Sequence, residues 1–183
     1  MLAEVDGNVP EAVFGELARL GEIAEQHGAK ETWLAQDEGQ REKLWAARRT
    51  VSIALRGLAK HKLSEDLVVP RSHIPEMIDR CKAIGKALGL TVATYGHAGD
   101  GNLHANILFE STDDRPKVDE ALRQMAVVAI ELGGTITGEH GVGVAKKDLL
   151  ALEQAPPVLA LQRKLKQVFD PDGLLNPGKF LPD

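Results

Sequence analysis

Residues 91–109 read as two β-strands folded back on each other. Thr91–His97 and Asn102–Phe109 are strand-like runs, and Asp100-Gly101 between them is a strong signal for a two-residue hairpin turn. With those two residues at the turn, His97 faces His104 directly and Tyr95 faces Asn106. Side chains alternate along a strand, so Tyr95, His97, His104 and Asn106 share one face. Val92, Thr94, Ala98, Leu103, Ala105, Ile107 and Phe109 fall on the other, which is the composition a core needs. Directly opposed Cβ atoms sit about 4.5–5.5 Å apart, close enough for two imidazoles to reach one cation. The competing reading is a pair of surface histidines that do no more than hydrogen-bond.

The chain has 18 glycines among 183 residues, and those at 96, 99 and 101 flank the histidines. A second cluster, at 133, 134, 138, 141 and 143, surrounds Thr137-Gly138-Glu139-His140-Gly141. Gathered glycine marks special backbone geometry or close approach of a ligand. Glu139 is a candidate third ligand beside His97 and His104, and His140 a base able to work near neutral pH. A solvated glycine turn that happens to hold an acid and a histidine is the plainer alternative. Neither Gly-x-Gly-x-x-Gly nor Gly-x4-Gly-Lys-Ser/Thr occurs, so no phosphate-cradling loop is present by pattern.

The rest of the chain reads as α+β, an antiparallel sheet with helices on one face, in one domain over 1–183. Strands are expected at 2–6, 32–35 and 66–70. Helices are expected from Asn8 to Gly28, from Asp37 to Leu58 (buried stripe Leu44, Ala47, Val51, Leu55, Leu58) and from Ile74 to Leu88. A further helix carries Val118, Leu122, Met125, Ala129 and Leu132, and a last one turns Leu161, Leu165 and Val168 inward. A net charge of −5 offers no general field for nucleic acid or anionic membrane. The single cysteine, Cys81, excludes an internal disulfide and a cysteine-based zinc cluster. No apolar run approaches the ~20 residues of a transmembrane helix, and the N-terminus lacks a signal-peptide pattern. The expected location is therefore cytoplasmic, with peripheral membrane association still open.

Three motifs follow in order: Tyr95-Gly96-His97-Ala98-Gly99-Asp100-Gly101-Asn102-Leu103-His104, Gly138-Glu139-His140-Gly141-Val142-Gly143, and Asp170-Pro171-Asp172-Gly173-Leu174-Leu175-Asn176-Pro177-Gly178-Lys179. Together they resemble the C-terminal (cap) domain of FAD-linked oxidases, the family of D-lactate dehydrogenase, the glycolate oxidase flavoprotein subunit and D-2-hydroxyglutarate dehydrogenase. The resemblance implies a ferredoxin-like α+β cap over the flavin of a preceding FAD-binding domain. It implies a divalent metal (zinc, manganese or iron) on His97, His104 and Glu139, and His140 as the catalytic base that also touches substrate. Asn106, Arg48, Ser52 and Lys62 match substrate-contacting positions, Arg48 through the substrate carboxylate and Lys62 through a looser alignment. No residue here is matched to FAD itself, which a domain in cis or in trans would bind. The chain is accordingly expected to be a fragment, a truncated product or half of a split enzyme, inactive alone.

The function so implied is the substrate- and metal-binding part of an FAD-dependent enzyme that oxidises a D-2-hydroxy acid to the 2-oxo acid. The alternatives are a non-catalytic module that binds a metal or small acid or mediates homodimerisation, and a stand-alone metal hydrolase.

Overall fold

The computed structural model describes residues 1–182. The chain divides into two compact units, Met1–Leu55 and a second that begins at Arg56.

The first unit holds helix α1 (Pro10–Gln26) and most of α2 (Glu38–Arg56). Pro10 stands in the first turn of α1, where a backbone N–H has no helical partner to lose, and Val9 rather than Asn8 is the cap. Asp37 caps α2 by accepting from the Gln40 N–H at 2.8 Å. The buried stripe expected along α2 is only half-buried at Leu44, Val51 and Leu55, and Ala47 and Leu58 are exposed. The strands expected at 2–6 and 32–35 do not form, because neither segment pairs with another strand among the described residues. Glu4 is held by side chains instead, accepting from Trp45 Nε1 at 2.8 Å and pairing with Arg41 at 2.8 Å.

The second unit is built on an antiparallel sheet of β1 (His61–Val68), β2 (Thr91–His97) and β3 (Asn102–Phe109), in the order β1-β3-β2. Helices α3 (Ile74–Leu88) and α4 (Arg115–Glu131) cover one face, which establishes the α+β class. Met77 and Cys81 of α3 and Val118, Ala121, Met125 and Ala129 of α4 meet Leu67, Leu103, Ala105 and Ile107 of the sheet in the main core. After α4 a single antiparallel bridge, Thr135 to Val68, stands where a ferredoxin-like fold would carry its fourth strand.

β2 and β3 have the predicted limits, but their register differs from the expected one. Ala98-Gly99-Asp100-Gly101 form a four-residue connection, so Tyr95 opposes His104 and His97 opposes Asn102. The slip is of two residues, which equals the period of the strand, so every side chain keeps its predicted face. Gly101 explains the longer turn. Its φ is +71°, and a Cβ there would overlap the carbonyl oxygen of Val69, just past the end of β1. β1 is longer than the expected 66–70 strand because it pairs along all of β3, from His61 opposite Phe109 to Val68 opposite Asn102.

Beyond α4 come the one-turn helices α5 (Gly143–Lys146) and α6 (Leu150–Glu153), then α7 (Pro156–Phe169). A smaller core of Ala126, Ile136, Leu150 and Leu159 anchors this region. Leu161, Leu165 and Val168 do not turn inward as the helical spacing suggests, and all three are exposed. Only Leu159 of α7 reaches the core, since that cluster is too small to cover a second row of the helix. The turn after α7 is tied by Asp170, which accepts from Lys166 Nζ and from the Leu174 and Leu175 amides. Among the described residues no helix is long and apolar enough to cross a membrane.

Candidate metal and substrate site

The face of the sheet away from α3 and α4 carries Lys62, Ser64 and Asp66 from β1, Asn102, His104 and Asn106 from β3, and Tyr95 and His97 from β2. Because Tyr95 takes the place opposite His104, His97 is its diagonal neighbour. The two imidazole centroids lie 5.6 Å apart at 85°. A diagonal pair still converges when side chains are long.

The loop after Thr135 brings Glu139 over this pair. Glu139 Oε1 is 3.2 Å from His104 Nε2, and one ligand atom from each of His97, His104 and Glu139 lies within 4.8 Å of the others. Two nitrogens and a carboxylate oxygen are a donor set suited to zinc, manganese or iron. His97 and Glu139 are exposed while His104 is buried, so the set opens on one side only. Burial pushes the His104 pKa down, against the opposing pull of Glu139, and the neighbouring His140 and His97 push it down further. A neutral imidazole is the form that binds a metal.

His140 stacks on His104, with ring centroids 5.4 Å apart and planes at 16°. It stands beside the His97, His104 and Glu139 set rather than within it. Asn106 is fully buried, and Lys62 Nζ donates to its Oδ1 at 3.0 Å. Asn106 Nδ2 in turn donates to the Ala93 and His104 carbonyls, at 3.2 and 2.9 Å, which orients the amide and spans two strands. Lys62, the loosest of the expected site residues, therefore stands beside Asn106 on the same sheet face as His104. Arg48 and Ser52 are half-buried, one turn apart on α2, in the first unit.

Two residues central to this region were not among those expected from the sequence. Asp66, with no exposed surface, accepts from the amides of Gly138, Glu139 and His140 at 2.7, 2.6 and 3.0 Å. Lys146, 4% exposed, donates to Asp66 Oδ1 at 2.5 Å and to its backbone carbonyl at 3.0 Å. Burial opposes ionisation of Asp66, but the Lys146 ammonium and the loop amides outweigh it and hold the carboxyl far below its ordinary range. The available signal was an acid inside an apolar strand, Asp66-Leu67-Val68-Val69, which demands a partner that strand periodicity does not name. Gly138 admits this loop to the sheet, since a Cβ there would come within 2.6 Å of Asn102 Nδ2 and 2.7 Å of Val68 Cγ2.

Comparison with known proteins places the arrangement in context. Residues 1–180 match the family described as FAD linked oxidases, C-terminal domain. The chain is 37% identical over 182 residues to the glycolate oxidase subunit GlcD of Bacillus subtilis, covering 98% of this chain and 38% of that protein. It is 33% identical over 184 residues to GlcD of Escherichia coli strain K12, covering 100% and 37%. With the mitochondrial D-lactate dehydrogenase [cytochrome] of Kluyveromyces lactis it shares 34% over 183 residues, covering 97% and 32%. The chain thus spans about a third to two-fifths of the length of these relatives.

Proposed function

The chain belongs to the FAD-linked oxidase C-terminal domain family, a family of oxidoreductases, and from that premise we propose that it is the substrate- and metal-binding part of an enzyme oxidising a D-2-hydroxy acid of the lactate or glycolate type to the 2-oxo acid. The observation that carries this reading is the convergence of His97, His104 and Glu139 with His140 stacked beside them. The names of the glycolate oxidase and D-lactate dehydrogenase relatives support the substrate class.

In this reading His97, His104 and Glu139 hold a divalent cation, which when bound supplies Lewis acidity toward the substrate's hydroxyl and carboxylate oxygens. FAD, held by an FAD-binding domain in cis or in trans, supplies the acceptor for the hydride on C2. His140 takes the hydroxyl proton, and loss of that proton and of the C2 hydride converts the 2-hydroxy acid to the 2-oxo acid. Asn106, fully buried with its amide taken up by Lys62 and two carbonyls, serves here by fixing the Lys62 ammonium rather than by meeting substrate through a free amide hydrogen. The family resemblance assigns the substrate carboxylate to the two-pronged guanidinium of Arg48 and a further substrate contact to Ser52, one turn on.

Two measurements test this. Wild-type chain is expected to retain about one equivalent of divalent metal, and His104→Ala none; equal, negligible content in both rejects the metal site. In the enzyme supplied with its flavin domain and a dye acceptor, D-lactate or glycolate should be turned over, with Arg48→Lys raising KM. A chain that binds the acid and never supports turnover, even with that domain present, would instead be a binding module.

A further inference from the structure

Glu139 and His140 supply half of the proposed metal and base set, yet they sit on an exposed loop with glycines at 138 and 141. Such a backbone is free to move unless something outside the loop ties it down. The tie is one buried carboxylate. Asp66 Oδ2 collects three successive amides, those of Gly138, Glu139 and His140, and Oδ1 lies 3.3 Å from Thr137 Oγ1. Oδ1 is also 3.7 Å from His140 Nδ1.

Asp66 is itself fixed from both sides. It sits opposite His104 in the β1–β3 ladder, so the strand that holds a metal ligand also holds the clamp. Lys146 reaches it from α5, and the ammonium is 3.1 Å from Glu65 Oε2 as well. We propose that Asp66 is the positioning residue of the site: its lysine-held carboxylate gathers the Gly138–His140 amides and so fixes the Glu139 carboxylate against His104. This rests on the metal reading above. It adds the device that makes a preformed ligand set out of a glycine-rich loop. Ligand orientation by a partner outside the coordination set carries a large share of metal affinity.

The test has one readout that needs no metal and one that does. In metal-free wild-type chain, amide exchange of Gly138, Glu139 and His140 is expected to be slowed well below the unstructured-chain rate. In Asp66→Asn those three amides should exchange at least about tenfold faster, with the Ile107 amide in β3 unchanged. Calorimetric titration with zinc should show Asp66→Asn binding about 10–100-fold more weakly. Met125→Ala, a core truncation away from the loop, should keep the wild-type zinc affinity, separating positioning from general loss of stability. Unprotected loop amides in wild type overturn the proposal, so it stays testable if Asp66→Asn fails to fold. Undiminished protection or undiminished zinc affinity in Asp66→Asn also overturns it. A wild-type chain that binds neither zinc nor manganese rejects the metal reading, and the exchange measurement then decides the loop claim alone.

Discussion

Lys146 Nζ lies 2.5 Å from Asp66 Oδ1, a contact between residues 80 positions apart and both closed to solvent. With the Asp66 carbonyl at 3.0 Å and Glu65 Oε2 at 3.1 Å, all three ammonium donors have an acceptor. Removing one member of such a pair strands the other as a buried charge. Lys146→Met is therefore expected to cost about 3–5 kcal/mol in urea unfolding. A loss under about 1 kcal/mol would mean that the pair behaves like a surface one.

The same pair sets an acid limb. The Asp66 pKa is depressed in the folded chain, so its contribution is complete above the ordinary carboxylate value of about 3.9 and is lost as pH falls through the folded value. Urea midpoints of wild type should decline on acidification below about pH 4, and Asp66→Asn should show a flatter decline there. Parallel acid limbs in the two proteins would contradict this.

His104 should titrate low. Burial favours its neutral form, so the folded pKa lies under 6.5, and stability from this group is present above that value and lost as pH drops. An imidazole NMR titration of metal-free chain should give His104 a midpoint below 6.5, and Glu139→Gln should lower it further by removing the nearby negative charge. A midpoint above 6.5 in wild type would place the ring in a different environment.

Cys81 is 1% exposed, and burial raises its thiol pKa to about 12. The thiolate is the reactive form, so a disulfide reagent at pH 8 should label the chain only as it unfolds. Stoichiometric labelling of folded chain within seconds would show that α3 does not seal this position.

Gly101→Ala tests the turn. The residue would need a left-handed backbone and would overlap the Val69 carbonyl, so a loss of at least about 1–3 kcal/mol is expected in thermal or urea unfolding. Gly99→Ala, with open space around the position and an ordinary φ, should fall within about 0.5 kcal/mol of wild type.

Much of the site was legible before the fold. Strand alternation placed Tyr95, His97, His104 and Asn106 on one face, and that assignment survived a wrong turn length because the error was an even number of residues. The direct opposition of His97 and His104 did not survive, since Gly101 permits a wider connection than a two-residue turn. Helical spacing located α7 but not its environment. Leu161 and Leu165 have core-like spacing and are exposed, because spacing describes one helix and burial depends on what lies across from it.

Local periodicity, turn residues and ordered motifs thus determined the hairpin, its two faces, the family and the candidate ligands His97, His104 and Glu139. Tertiary structure alone decided that Asp66 holds the loop, that Lys146 holds Asp66, and that Lys62 reaches Asn106. The physical reason is distance along the chain. Alternation is a property of adjacent residues, whereas a buried charge is tolerable only where donors from remote segments converge on it, and no local pattern records that convergence.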